Sequence, residues 1–567
     1  MLSAFPAALV AAVLTPQTIT LVSADSSGAH GNDVSKHQAI SSDGRFVAFF
    51  SAASNLVAGD TNGVGDIFVR DLQSNLTTRV SVGTGGVQAN AVSSAMAMSG
   101  DGRYVAFDSS ADNLVPGDTN ASYDVFVHDR QNASTVRASV SWLGGAASGH
   151  SVSPKLSLDG RYLAFSSIAP DLIAFDSNDS ADVFVRDLQS GVTERVSLDF
   201  NGLEGTGHSW LPSISDDGRV VAFSSLCATL VPADFNSVED VFVRDRATGL
   251  TTRVSVDSAG NEGNGASWEP ALSGDGRFVA FTSHADHLTP GILTFTTNVF
   301  LHDRLTGSTT LVSRTPAGSS GIGYSWGPSI SRDGQFIAFA SSAKDLAPSN
   351  IGFSDDVFRF ERTSGAISCL SLSPWGAMLG YPARRPSISA DGRRVAFDCR
   401  SNALVSGDSN NVDDVFLCEL SHAPTAYCTG ATTTNGCTPS IGASGAPSAS
   451  ASSGFTIAVG AADGQRSGLV FYGVSGPVAL SWAAGSTSFM CVKGPTQRMP
   501  PQSTGGTPAA CDGTLAVDFL AFLAANPGAI GQPLAAGMRV NAQAWMRDPP
   551  APKASSLSDA LEFEITP

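Results

Sequence analysis

The segment SGDGRYVAF (Ser99–Phe107), followed by DVFVHD (Asp124–Asp129), decides the fold because it returns at a fixed interval. Its Asp-Gly-Arg turn, once Asp-Gly-Gln, places an aspartate at Asp43, Asp101, Asp159, Asp217, Asp275, Asp333 and Asp391, each 58 residues after the last. Six residues after each aspartate stands a phenylalanine (Phe49, Phe107, Phe165, Phe223, Phe281, Phe339, Phe397). Twenty-five residues after it stands another (Phe68, Phe126, Phe184, Phe242, Phe300, Phe358, Phe416). A period of this length is the signature of a repeat array.

Each repeat reads as four short strands. The first ends at Ile40, Met98, Leu156, Ile214, Leu272, Ile330 or Ile388. Asp-Gly then turns the chain, with glycine supplying the positive φ of a tight hairpin. The second strand is of the type Tyr104–Phe107, the third of the type Asp124–Val127, and the fourth of the type Thr78–Val82. No repeat carries a long apolar period of 3.6 residues, so helix is disfavoured. A single four-stranded sheet leaves its apolar faces wet, whereas sheets packed radially cover one another. The expected fold is all-β: a seven-bladed β-propeller of four-stranded blades. Thr20–Ser23 align with a fourth strand yet precede the first turn, and the seventh repeat lacks a good one of its own. The N-terminal strand is therefore expected to close the last blade and remove an exposed edge.

The Ser-x-Asp-Gly-Arg-x-Val-Ala-Phe element followed by Asp-Val-Phe-Val-x-Asp resembles the repeat of TolB-like (WD40-like, PD40-type) propellers of bacterial envelope proteins. The resemblance covers about residues 18–420. It implies a propeller fold and an extracytoplasmic setting, and leaves activity open, because one fold hosts many functions.

Three regions are expected. Residues 1–17 have the apolar core of a signal-peptide remnant, 18–423 form the propeller, and 424–567 form a small β-rich, sandwich-like domain. Cys428, Cys437, Cys491 and Cys511 fall in the last region. Chain proximity favours Cys428–Cys437 with Cys491–Cys511, and such disulfides belong to an oxidising compartment: periplasm, cell surface or medium.

The chain has 567 residues, a formal net charge of −18 and no basic run, which argues against a nucleic-acid partner. No stretch offers the roughly 18 apolar residues of a transmembrane span.

Three sets of residues carry candidate chemistry. The Asp-Gly-Arg turns are read as structural, their arginines pairing with Asp71, Asp129, Asp187, Asp245, Asp303, Glu361 and Glu419 beside the third strands. Before the third strand lies Asp-x-Asn-x-x-x-Asp: Asp60/Asn62/Asp66, Asp118/Asn120/Asp124, Asp176/Asn178/Asp182, Asp234/Asn236/Asp240 and Asp408/Asn410/Asp414. Alternate oxygen ligands in a turn suit calcium, the one cofactor the sequence points to; the competing reading is Asx capping of a tight loop. Repeats five and six break this pattern, at Ile292/Asn298 and Asn350/Asp356.

The third set starts the first strand, which lines a propeller's channel: Lys36, Trp210, Trp268, Trp326 and Arg384, with His150, His208 and Tyr324 two residues earlier in their repeats. Aromatics here stack on sugars or hold peptide side chains; the competing reading is packing over Pro212, Pro270 and Pro328. His284 and His287, in one loop, read as a solvated turn, with a contribution to a metal site as the alternative. With no nucleophile elbow, zinc-protease motif or phosphate loop, the leading expectation is an exported, non-enzymatic scaffold binding a protein, peptide or glycan at the channel mouth. Its rivals are a hydrolase or lyase on polysaccharide or peptide, using His150, His208 and nearby acids, and a structural envelope protein stiffened by calcium.

Overall fold

In the computed structural model, the described residues are 17–565 apart from 295, 348–353, 374–378, 421–424, 428–431, 482–488, 536–537 and 550–554. Residues 1–16 of the expected leader segment and Cys428 lie outside them, and Gln17 opens a strand. The chain separates into two compact units, which meet in sequence between Glu419 and Leu420.

The first unit holds seven four-stranded antiparallel sheets. The first comprises Ser35–Ile40, Phe46–Ser51, Asp66–Asp71 and Leu76–Arg79, paired in chain order, and five more follow in the same order. The seventh is built differently: Ala383–Ile388, Arg394–Cys399 and Asp414–Leu420 are joined by Gln17–Leu21 as the fourth strand. There the Val22 amide donates to the Val415 carbonyl at 2.8 Å, as Val80 does to Ile67 in the first sheet.

Each sheet pairs its two phenylalanines directly, as Phe49 with Phe68 and Phe165 with Phe184. Their rings lie 5.8–6.2 Å apart in the seven sheets. None of the fourteen retains accessible surface, and burying one such side chain is worth up to about 3 kcal/mol. The pair packs against the small face of the preceding sheet: Phe107 and Phe126 against Ala48, Ile67 and Val69. Phe49 and Phe68 pack in the same way on Ala396, Val415 and Leu417 of the seventh sheet.

A second set of bonds links the sheets. The residue before each turn aspartate donates its amide to its counterpart in the next repeat: Ser42 to Gly100 (2.9 Å), Gly100 to Leu158 (2.8 Å), Leu158 to Asp216 (3.1 Å) and Asp216 to Gly274 (2.9 Å). Gly274 then donates to Arg332 (2.8 Å), Arg332 to Ala390 (3.2 Å), and Ala390 back to Ser42 (3.0 Å). Below them, the turn aspartates accept local bonds, as Asp43 does from the Ser41 hydroxyl (2.6 Å) and the Arg45 amide (2.9 Å).

The second unit has a three-stranded sheet (Ser440–Ser444, Thr456–Ala462, Gly513–Asp518) and a larger sheet that includes Ser467–Gly473, Arg539–Arg547 and Ser555–Glu564. They share one core containing Ile457, Leu515, Tyr472 and Phe563. Thr425–Tyr427 pairs with Ser555–Glu564, so this segment belongs to the second unit. The helix Phe519–Ala525, capped by the Asp518 carboxylate on the Ala521 amide (3.0 Å), was not expected from the sequence.

The expected disulfide pairing is corrected. Cys437 is bonded to Cys511, 74 residues away, rather than to Cys428, and Cys511 is therefore not bonded to Cys491. Sheet order overrides chain proximity: Ser440–Ser444 and Gly513–Asp518 both run antiparallel to Thr456–Ala462. Their starts, and the cysteines just before them, therefore meet at one end of that strand.

Candidate active site at the channel mouth

The first strand of each sheet lines the channel, and its inner wall is interrupted by a bulge. Pairing with the second strand slips after Lys36, Val152, Trp210, Trp268, Trp326 and Arg384. The residue that follows takes a left-handed conformation, with φ near +50 to +60° at His37, Ser153, Leu211, Glu269 and Arg385. Non-glycine residues held there are strained by about 1–3 kcal/mol, and bulges commonly re-aim side chains at sites. The channel cavity of about 290 Å³ is lined by Gln38, Met96, Lys155, Ser213, Pro270 and Pro328, among others.

The half-buried Trp210 donates its indole N–H to Glu239 Oε1 at 2.7 Å. Burial pushes Glu239 above the usual carboxylate range; the Trp210 bond opposes the rise and the nearby charge of Glu269 adds to it. Glu269 Oε2 accepts from the Thr282 hydroxyl at 3.1 Å and from the Gly327 amide at 3.0 Å. Trp268 packs on His284 with centroids 4.8 Å apart, and His284 Nδ1 lies 3.0 Å from Thr297 Oγ1. His284 stands exposed in its loop, as expected of a solvated turn, and also stacks on Trp268. His287 Nε2 lies 3.0 Å from the Glu262 carbonyl.

The two expected histidines are exposed and use one nitrogen each on backbone. His150 Nδ1 accepts the Tyr123 amide and His208 Nδ1 the Ala181 amide, both at 2.9 Å, leaving Nε2 as the outward N–H. His208 also lies 6.1 Å from Trp210. Tyr324 is 54% exposed, so its ring is available to a ligand rather than packed.

Sheets seven and one carry the opposite charge. Lys36 Nζ stands 5.7 Å over the Phe50 ring, and Arg384 Nε donates to Asp355 at 2.7 Å. Arg385 pairs with Asp398 at 2.9 Å; burial raises Asp398 to about 6 despite that arginine. His37 is open to solvent yet set inside the funnel, where desolvation and then Arg385 and Lys36 push it down to about 4.

In sheets one to four the Asp/Asn loops expected to hold calcium already contain a cation, an arginine side chain. Arg79 reaches Asp60 (2.9 Å) and Asp66 (3.2 Å), and Arg195 reaches Asp176 (3.1 Å) and Asp182 (2.9 Å). Arg137 lies 3.3 Å from Asp118 and 4.0 Å from Asp124, and Arg253 lies 3.4 Å from both Asp234 and Asp240. The asparagines cap the loops: Asn62, Asn120, Asn178, Asn236 and Asn410 each donate to the second aspartate of their loop at 2.7–3.0 Å.

The Asp-Gly-Arg arginines do pair with the third-strand acids. Arg45 grips Asp71 at 2.9 and 2.7 Å, and Arg103, Arg161, Arg219 and Arg277 repeat the contact. In the seventh sheet Arg394, one residue on, takes the role with Glu419.

Glu239 and Glu269 were missed from the sequence. For Glu239 the signal was present: the position before the third strand reads Gly65, Tyr123, Ala181, Glu239, Thr297, Asp355 and Asp413, varying as freely as the tryptophans do.

No family model matches this chain, and no curated protein matches it in sequence. Among solved structures it is similar to an oligogalacturonate lyase in complex with manganese, at 13% identity over 72% of this chain and 98% of that one, TM-score 0.43. The propeller domain of the Trilobed protease from Pyrococcus furiosus matches at 11% over 68% and 95%, TM-score 0.41. A putative TolB from Agrobacterium tumefaciens matches at 16% over 49% and 80%, TM-score 0.32. The likeness is one of fold. The expected non-enzymatic scaffold is corrected only in that the structures matched include enzymes, among them a prolyl endopeptidase, an acylaminoacyl peptidase and a xyloglucanase.

Proposed function

We propose that this chain is an extracytoplasmic propeller enzyme, a hydrolase or lyase that cleaves a carboxylate-bearing polysaccharide at the channel mouth. The observation that carries the reading is Glu239, hydrogen-bonded to Trp210 and raised by burial and by Glu269. A carboxyl group whose hold on its proton is strengthened by burial near a second carboxylate suits general acid–base cleavage of a glycosidic bond. Trp210, Trp268, Trp326 and Tyr324 offer faces for sugar rings, and Lys36, Arg384 and Arg385 offer charge for substrate carboxylates. In this reading Glu239 donates the proton to the leaving oxygen and Glu269 acts as the partner carboxylate, while His150 and His208 hold the rim.

The reading takes the first unit as a closed seven-bladed propeller, residues 18–423. The seven sheets, the return bond from Ala390 to Ser42 and the N-terminal strand in the seventh sheet support it. Residues 424–567 are read as an accessory β-sandwich. The Cys437–Cys511 bond supports an oxidising compartment, and among the described residues no helix is long and apolar enough to cross a membrane.

The test is turnover on neutral and acidic polysaccharides and on peptides, reading new reducing ends and unsaturated products separately. Glu239→Gln is expected to lower kcat on an acidic glycan by about 10²–10⁴-fold with the melting temperature held. Turnover of peptides alone, or full activity in Glu239→Gln, overturns the reading.

A further inference from the structure

The arginine that neutralises each Asp/Asn loop comes from the last residue of the fourth strand: Arg79, Arg137, Arg195 and Arg253. Its counterpart 58 residues before Arg79, in the strand that completes the seventh sheet, is Leu21. In the fifth sheet the arginine is also lost, to Leu311, and the acids go with it, leaving Ile292 and Asn298. The seventh sheet alone among these keeps both acids, Asp408 and Asp414, without the arginine. In the place where Gln88, Glu204 and Glu262 meet the arginine in their repeats, it has His30.

The result is a cluster of ligand atoms with no cation among them. The Asp408 side chain is 3% exposed, and its Oδ1 has no hydrogen bond. His30 Nδ1, also without a hydrogen bond, lies 3.8 Å from it, too far for one. One donor atom from each of His30, Asp408 and Asp414 lies within 4.8 Å of the others. Two buried carboxylates left without a counter-cation are strongly unfavourable, and four sister sheets show that a cation belongs there.

We propose that His30, Asp408 and Asp414 bind a divalent first-row transition metal, of the zinc or manganese class, in the position an arginine guanidinium takes in sheets one to four. An imidazole with two carboxylates favours such an ion over calcium, which takes six to eight oxygens. A small inward movement of the three side chains brings them to the roughly 2.0–2.2 Å of metal–ligand bonds. The ion ties the N-terminal segment, through His30, to the third strand of the seventh sheet, so it acts as a clasp on the joint between the first unit's two ends. This inference is independent of the catalytic reading.

The test uses the full chain stripped with a chelator and titrated with Zn²⁺, Mn²⁺ or Ca²⁺ singly, reading stoichiometry and melting temperature near neutral pH. One Zn²⁺ or Mn²⁺ per chain is expected, raising the propeller's melting temperature by about 3 °C at a hundred-fold excess over Kd. His30→Ala and Asp408→Asn are expected to lose that shift. Leu21→Arg, which supplies the sister sheets' guanidinium, is expected to abolish metal binding while melting, metal-free, at or above the stripped wild type. The proposal is overturned by no metal-dependent shift in the wild type, by a response to Ca²⁺ alone, or by undiminished metal binding in Leu21→Arg.

Discussion

The Ser23 hydroxyl donates to Asp414 Oδ1 at 2.6 Å across 391 residues of chain, and returns the favour to the backbone by accepting the Val415 amide at 3.0 Å. The same pair of bonds links Ser81 to Asp66 and Ile67 inside the first repeat, where 15 residues separate the partners. A local contact has thus been cut and reused to join the two ends of the first unit. Deleting residues 17–24 bares the edge of Asp414–Leu420, and an unpaired edge is a template for association. The truncated chain is expected to melt lower and to form oligomers by light scattering; a monomer of unchanged melting temperature counts against closure by this strand.

The stacked phenylalanines put the core's stability in repeated units. Phe223 and Phe242 lie 6.1 Å apart with no exposed surface. Phe223→Ala is expected to cost about 3–5 kcal/mol in denaturant unfolding, and Phe223→Leu a good deal less. Equal costs for the two variants would mean that packing between sheets is looser than these contacts require.

Arg195 has a 6%-exposed side chain among Asp176, Asp182 and Glu204. Removing it leaves buried charge unpaired, so Arg195→Ala is expected to cost about 3–5 kcal/mol. Replacing arginine and acids together, as Leu, Ile and Asn at 195, 176 and 182, copies what the fifth sheet already does and is expected to restore most of that loss. A triple variant no better than Arg195→Ala would show that the ion cluster is not what the loop depends on.

The pH profile follows from two opposed groups of acids. Burial raises Asp356 to about 7 and Asp398 to about 6, above the unfolded value near 4, so their contribution is complete below about pH 4 and is lost as pH rises through 6–7. Asp129, held down to about 2 by Arg103, and Asp71, Asp187 and Asp303, depressed by Arg45, Arg161 and Arg277, contribute above about pH 4 and lose it as pH falls further. The propeller is expected to melt highest at about pH 4 and to lose stability in both directions. Asp356→Asn is expected to flatten the alkaline limb; a variant with the wild-type slope there would contradict the assignment.

What could be read from the sequence was local. A turn of Asp and Gly, two phenylalanines at fixed offsets and a constant period specify each sheet within 58 residues, and Leu21 and Val22 betrayed the borrowed strand by matching Arg79 and Val80 in register. The arginines inside the Asp/Asn loops were equally visible as a recurring residue, absent from the two repeats where the aspartates fail, but a contact 19 residues long from Arg79 to Asp60 is not a motif. Glu239 and Glu269 escaped because they are not repeated at all. Their meaning comes from Trp210 and Thr282, which only the bulged inner strands bring to them.

The disulfide shows the limit of chain proximity and makes the last prediction. Cys437 and Cys511 meet because two strands flank Thr456–Ala462 on opposite sides, an arrangement fixed only after the sheet forms. Closing a loop of 74 residues removes unfolded-state entropy worth on the order of 4 kcal/mol. The core it protects is small, so the loss of Cys437 and Cys511 to serine is expected to lower the unfolding transition of the second unit while the first unit's Phe-stacked sheets melt unchanged. Calorimetry of the full chain separates the two transitions. If both shift together, the units unfold as one and their stabilities cannot be assigned to separate cores.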